Sequence, residues 1–391
     1  MPAVKSKRNC ETTSNKAETA LLNTLILELY KEALMPANKN DTHPLKENNT
    51  NLVLSVLLTM KTATRRQLAQ RTGLSQPTVN SIVQELENIG VAQPGNFAAS
   101  AGGRRPQCYT LQTDYLRAAT IRVLSRSLEY AVVTIDGTVI LRNSWAVADS
   151  ENHLKALISL LKTLLKQDNG IRVISIGVPG VVGPGGALHA ISQIPELEGV
   201  SLAHELEKRF NLPVYVENDM NLVALGSVAA DSGSAKLTDM VFVHIGEGVG
   251  AGIVMGGQII RGHSSFAGEI AYMVIPGDGN KSLENIEKEE TLEFLLSQTD
   301  NIKEQAQLIS GMIISIICLL NPPVISFESI YAGEEMLRHL RQECEKHLPH
   351  WTIPSFQLMA DEEAAYDRGL MALVNDVLTN QITRELASVK L

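Results

Sequence analysis

Three clusters in this chain combine residue types and spacing suited to binding chemistry. Val216-Glu217-Asn218-Asp219 closes a short apolar run, so a carboxamide and carboxylates stand at a strand end, where they can converge on neighbouring hydroxyls of a sugar. From Val241 to Val254, Gly246, Gly248, Gly250 and Gly252 alternate with other residues at a strand-turn-strand junction. Such a turn lets backbone amides approach a ligand, commonly a phosphate, and it equally serves a tight hairpin. Just beyond, Ala267-Gly268-Glu269-Ile270-Ala271-Tyr272 adds a further carboxylate and a phenol. Any one of these acids is also explained as a solvated surface group. Their joint order along the chain points to one site.

A fourth set suits nucleic acid. Val79, Ile82, Val83 and Leu86 follow the i, i+3, i+4, i+7 spacing of a buried helix face, which leaves Ser75, Gln76, Thr78, Asn80 and Ser81 near the helix start for other contacts. Carboxamides in that position can read base edges. Downstream, Gly102-Gly103-Arg104-Arg105-Pro106 pairs glycines that permit close backbone approach with two guanidiniums suited to a narrow minor groove. The charge distribution agrees. The net charge is −9, yet residues 1 to 110 carry 13 Lys or Arg against 8 Asp or Glu, and the remainder carries 21 against 35. One basic region ahead of an acidic one is the footprint of a protein that meets phosphates at one end only.

The elements that must position these groups fall into three stretches. At 391 residues, 44% hydrophobic and 20% charged, the chain has the length of two or three globular domains. Residues 1–50 form an extension: a polar start, a helical pattern from Ala17 to Leu34 ended by Pro36, and an Asn- and Lys-rich linker from Ala37 to Thr50. Residues 51–113 carry three short helical patterns and a hairpin, the plan of a winged helix-turn-helix. The middle helix opens on the capping box Thr64-Arg65-Arg66-Gln67 and stops at Gly73. The Gly95-Asn96 and Gly102-Gly103 pairs punctuate the hairpin that ends in Cys108-Tyr109-Thr110-Leu111. From residue 114 to 391 strands and helices alternate, an α/β pattern. Strands are expected at 118–124, 129–135, 138–145, 173–178, 213–217 and 240–245, and helices at 151–166, 201–210, 219–230 and 304–320. The apolar stretch Met312 to Leu320 is well short of the roughly 20 residues of a membrane span. With no secretory signal pattern at the N-terminus, a cytoplasmic protein without membrane contact is expected. Cys10, Cys108, Cys318 and Cys344 lie too far apart for a zinc or redox motif and read as free, mostly buried thiols.

In this order the motifs resemble the ROK family (repressors, open reading frames, kinases) over roughly residues 51 to 380, and in the two-part build its xylose and N-acetylglucosamine repressors. Gly177-Val178-Pro179-Gly180-Val181-Val182 is similar to the family's sugar-side loop, and Gly248 to Gly252 followed by Gly256-Gly257 resembles its signature. The resemblance implies a two-lobed, actin-like ATPase fold behind the winged helix-turn-helix. It also implies a cleft in which Asn218, Asp219, Glu269 and, by a looser match, Glu284 meet a sugar-type effector. Tyr272 stands where the family has a sugar-contacting, zinc-binding His. It is expected to stack on the ring or to donate its hydroxyl.

Departures from the family pattern argue against catalysis. Arg122-Val123-Leu124-Ser125-Arg126-Ser127 replaces the Asp-Gly-Gly-Thr phosphate loop of family kinases, Glu247 opposes a triphosphate, and Phe327-Glu328-Ser329 fills the place of adenosine-side glycines. Pro276 to Ser282 lacks the family's zinc cysteines. The expectation is a regulator with no catalytic residue, metal or cofactor, acting on a double-stranded operator as a homodimer or homotetramer. The alternatives are an active sugar kinase and a DNA-binding protein whose ROK-like part is only an oligomerisation scaffold.

Overall fold

The computed structural model describes residues 42–97, 105–148, 152–230, 237–246, 248–273, 292–299, 301–329 and 333–388. The helix expected at Ala17–Leu34, the Gly102-Gly103-Arg104 part of the hairpin tip, Glu247, Pro276–Ser282 and Glu284 lie outside these residues. The chain divides into two compact units. One comprises the described residues up to 118 with 133–138 and 375–388; the other comprises those within 119–132 and 139–374.

In the first unit, helix α1 (Thr42–Met60) leads through β1 (Thr62–Thr64) into α2 (Arg65–Thr72) and α3 (Gln76–Asn88). The expected linker is corrected here, because α1 already covers Thr42 to Thr50. Asn48, Asn49 and Thr50 are weak helix formers, and their propensity is overridden by packing. Thr50 is buried, and Asn51 donates to Asn380 at 2.6 Å and accepts from Thr383 at 2.5 Å. The capping box at α2 forms as expected. Gln67 N–H donates to Thr64 Oγ1, Thr64 N–H donates to Gln67 Oε1, and Gly73 ends the helix at φ 69°. Val79, Ile82, Val83 and Leu86 are buried on α3. β2 (Ala92–Phe97) and β3 (Gln107–Leu111) pair antiparallel, Ala92 opposite Leu111, with β1 on the far side of β3. This is the winged helix-turn-helix.

The second unit is built on two five-stranded sheets. The first follows the order β10 (Val214–Asn218), β7 (Ile171–Val178), β4 (Arg117–Leu124), β5 (Ser127–Thr134), β6 (Val139–Ala146), with β10 parallel to β7, while the short β8 (Val181–Val182) and β9 (Leu188–His189) pair antiparallel with each other. Helices α4 (His153–Gln167) and α5 (Leu202–Phe210) belong to its core, where Leu157, Leu160 and Leu161 meet Ile174 and Ile176. The second sheet runs β13 (Gln258–Ile259), β12 (Val249–Met255), β11 (Met240–Ile245), β14 (Val324–Ser329), β15 (Ser355–Leu358). Its core takes in α7 (Leu292–Ser297), α8 (Ile302–Leu320) and α9 (Glu334–His347). Among the described residues one helix, α8, is long and apolar enough to cross a membrane; Ile309, Met312, Ile313, Ile316 and Ile317 along it are buried in this core. A third cluster joins α6 (Asp219–Ala230) to the start of α10 (Glu362–Ser388), with Leu222, Val223, Phe242 and Tyr366 at its centre. The cysteines depart from expectation: Cys344 is buried, Cys108 is intermediate and Cys318 is exposed at the end of α8.

Candidate functional site

The residues expected to meet nucleic acid are neighbours in the chain. Ser75 caps α3 by accepting from Thr78 N–H at 3.3 Å and also bonds the Thr78 hydroxyl at 2.7 Å. Its hydroxyl is therefore spent on starting the helix. Gln76, Asn80 and Ser81 are exposed on the turns that follow, and Gln76 donates to Asn80 at 3.4 Å, so one side of α3 carries a pair of carboxamides. Two cations of this unit are internally paired, Lys46 with Glu85 at 2.8 Å and Arg65 with Glu87 at 3.0 Å. Arg66 and Arg105 are exposed.

The second site is a cavity of about 450 Å³ in the larger unit. Asn218, Asp219 and Glu269 all line it, as do Gly180, Gly246, Gly248, Gly250 and Arg122. β10 places Glu217 and Asn218 at its end, and Asp219 opens α6. Asn218 is held at both ends of its amide: Nδ2 donates to Gly180 O at 2.9 Å, and Oδ1 accepts from Asn221 N–H at 3.1 Å. It therefore holds the loop at Gly180 as well as lining the cavity. Asp219 Oδ1 accepts from Met220 N–H at 2.8 Å. Burial pushes the Asp219 carboxyl up to about 6, against the pull of that hydrogen bond and of Arg122 and His244 nearby. Burial also raises the Glu269 carboxyl above its usual range.

Arg122 stands over the Tyr366 ring, 4.4 Å from its centroid, and donates to Glu362 at 3.1 Å. The Tyr366 hydroxyl is buried without a partner among the described residues, and burial together with the Asp219 charge holds its pKa well above the ordinary value. Glu362 and Tyr366 come from the start of α10 and line the cavity with Arg122. No motif marked them, because they reach the site from the far end of the sequence. The glycine turn divides its roles. Gly246 N–H donates to Gly248 O at 2.9 Å to close the β11–β12 hairpin. A Cβ on Gly252 would meet Met220 O at 2.1 Å, so that glycine lets β12 lie against α6. The hairpin account suffices for Gly252.

Tyr272 is corrected. It does not line the cavity; it is 57% exposed and packs against Phe266, ring centroids 5.2 Å apart. The short 3-10 turn Ile270–Tyr272 sends the side chain outward, where Glu269 at its cap stays in the cavity.

The comparisons with known proteins follow this two-part geometry. The model described as "ROK family" matches residues 119–284, and that described as "Winged helix-turn-helix DNA-binding" matches 52–93. A putative xylose repressor of Caldicellulosiruptor sp. (strain Rt8B.4) is 29% identical over 238 residues, covering 59% of this chain and 59% of that protein. An N-acetylglucosamine repressor of Escherichia coli O6:H1 is 24% identical over 224 residues, covering 56% of this chain and 55% of the other. The chain thus spans under three-fifths of the length of these curated relatives. Among solved structures, a ROK family transcriptional regulator described as a homologue of the E. coli MLC protein superposes with a TM-score of 0.70 at 17% identity, covering 87% of this chain and 99% of that one. That likeness shows the fold.

Proposed function

We propose, since this chain belongs to the ROK family and carries a winged helix-turn-helix, that it is a DNA-binding repressor of sugar-metabolism genes whose ROK part senses a sugar without phosphorylating it. One observation carries the reading: the adjacent Asn218 and Asp219 and the sequence-distant Glu269 line one cavity of about 450 Å³, the size of a small-molecule site. Carboxylates and a carboxamide are what sugar hydroxyls require. The relatives named as repressors support the DNA-binding half.

The non-catalytic half rests on this chain's own residues. Phosphoryl transfer is mostly positioning and charge neutralisation of the phosphates. Arg122 sits where family kinases carry the first residue of their phosphate loop, and its guanidinium is committed to Glu362 and the Tyr366 ring. Asp219 can still accept a hydroxyl proton, but the groups that hold a triphosphate beside it are replaced. The working division is a winged helix-turn-helix over 51–113 and a sensing domain from 114 onward, preceded by the 1–50 extension. Two-fold operators favour a homodimer or homotetramer, and a DNA partner places the protein in the cytoplasm.

The test is a thermal-shift screen of the purified protein against monosaccharides and sugar phosphates, followed by a radiometric kinase assay with each hit and ATP. A melting-point rise with one sugar and no phosphorylated product is expected. Sugar-dependent ADP formation above a heat-denatured control overturns the non-catalytic reading.

A further inference from the structure

Among the described residues of the first unit, one large apolar side chain is left exposed: Phe97, the last residue of β2, at 60%. Its partner on β3, Gln107, turns its amide onto the backbone instead of covering the ring. Gln107 Nε2 donates to Gly95 O and, at 3.3 Å, to Cys108 O. An aromatic ring held in water forgoes the stabilisation of burial, and a partner that covers it gains that stabilisation as binding.

The pairing of the hairpin decides which side the ring takes. β2 pairs with β3 at Pro94–Tyr109 and again at Phe97–Gln107, so Gly95 and Asn96 together face Cys108 alone. That is a β-bulge, a device that re-aims a side chain. Directly opposed residues share a face of the sheet, so the extra residue sets Phe97 on the Tyr109 face; strict alternation from Pro94 would have sent it to the other. Tyr109 is buried, with the Arg65 guanidinium of α2 over its ring at 4.8 Å, so this is the face that meets the helices. Phe97 prolongs that face into solvent. Arg105, also exposed, lies two residues before Gln107, so ring and guanidinium belong to one end of the hairpin.

The basic balance of residues 1 to 110 favours a polyanion as the occupant, and the apolar surfaces of a DNA duplex are its base faces and sugar edges. We propose that Phe97 is a wedge of the wing, its ring entering the minor groove and partly unstacking one base step while Arg105 lies in the same groove. The proposal rests on the DNA-binding reading and adds to it a sequence preference that needs no hydrogen bond to a base. Pyrimidine–purine steps unstack at least cost, so the operator carries one beneath the wing. Phe97 is thus a specificity-determining residue that acts through the deformability of DNA.

The test uses the full chain and the duplex it enriches from a random library, with 2-aminopurine replacing each adenine in turn. With the native chain, fluorescence should rise at one pyrimidine–adenine step and stay flat elsewhere. In Phe97→Ala that rise should vanish and affinity should fall about tenfold at every salt concentration, since a neutral ring releases no counterion. Phe97→Leu keeps an apolar wedge and should recover most of both signals. Flat fluorescence at every adenine with the native chain overturns the wedge without recourse to any variant. So does native affinity in Phe97→Ala, or a lower mass of that variant in sedimentation, which would assign the ring to a contact between copies of the chain. If the library yields no enriched duplex, the DNA-binding reading fails and the wedge falls with it.

Discussion

In the helix-turn-helix, side chains offered to a ligand bond to neighbours three or four residues away, Ser75 to Thr78, Gln76 to Asn80 and Ser81 to Glu85. In the cleft, Arg122 reaches Glu362 across 240 positions, and Arg261 reaches Glu217 across 44. The first face is solvated and acts through exposed amides on one helix. The second holds the buried Glu217 and the partly buried Asp219 and Glu269, whose surroundings are brought together by folding. Mutations in the first should therefore alter recognition with little cost in stability, and mutations in the second should alter stability, titration and ligand response together.

The largest effect is expected at Glu217. Arg261→Met leaves that buried carboxylate with hydrogen bonds from Asn218 and Asn221 but no counter-charge. Loss of about 2–3 kcal/mol is expected in denaturant melts. A melt unchanged from the native chain would show that the pair is screened like a surface bridge and would blur the contrast between the regions.

Asp219 should follow. Burial raises its carboxyl to about 6 from the ordinary 3.8, so the unfolded chain ionises first as pH rises. The folded state binds more protons between those values, and stability falls through that window. Asp219→Asn removes the penalty. It should be the more stable form by about 2 kcal/mol at pH 7.5 and no more stable than the native chain below pH 4. A variant whose gain is equal at both pH values would place the cause elsewhere.

On the DNA side the effects are smaller and of another kind. Gln76→Ala and Asn80→Ala should each lower the ratio of specific to random-duplex binding about tenfold, with melting temperatures held. Gel-shift titrations on a duplex enriched by the protein from a random library provide the ratio; equal loss on both duplexes would assign them to phosphate contact. Arg105→Ala should flatten the plot of log affinity against log salt by about one unit and leave sequence preference intact. An unchanged slope would remove the wing from the interface.

The same contrast explains how much the sequence discloses. The capping box at Thr64, the stop at Gly73 and the buried face of α3 are local patterns, and each forms where its residues predict. The strand–helix alternation of the larger unit is legible for the same reason, as is the order Asn218, Asp219, Glu269, which brings those groups to one cavity. The start of α1 was not legible, because its stability comes from Asn380 and Thr383 at the other end of the chain. Tyr272 was misplaced since position in a motif says nothing about which way a short 3-10 turn sends a side chain. Tyr366 and Glu362 carry no local signature at all; only tertiary folding sets them beside Asp219 and Arg122.

In the proposed function the cavity sets the DNA affinity of the helix-turn-helix. A ligand shifts such an equilibrium only by its differential affinity for the two states. The direct measurement is affinity for the enriched duplex, with and without the sugar found in the thermal screen, in the native chain, Asp219→Ala and Glu269→Ala. All three should bind the duplex alike without sugar, and only the native chain should lose affinity, by about tenfold or more, when sugar is added. Equal response in all three would contradict it and leave the ROK domain as a scaffold.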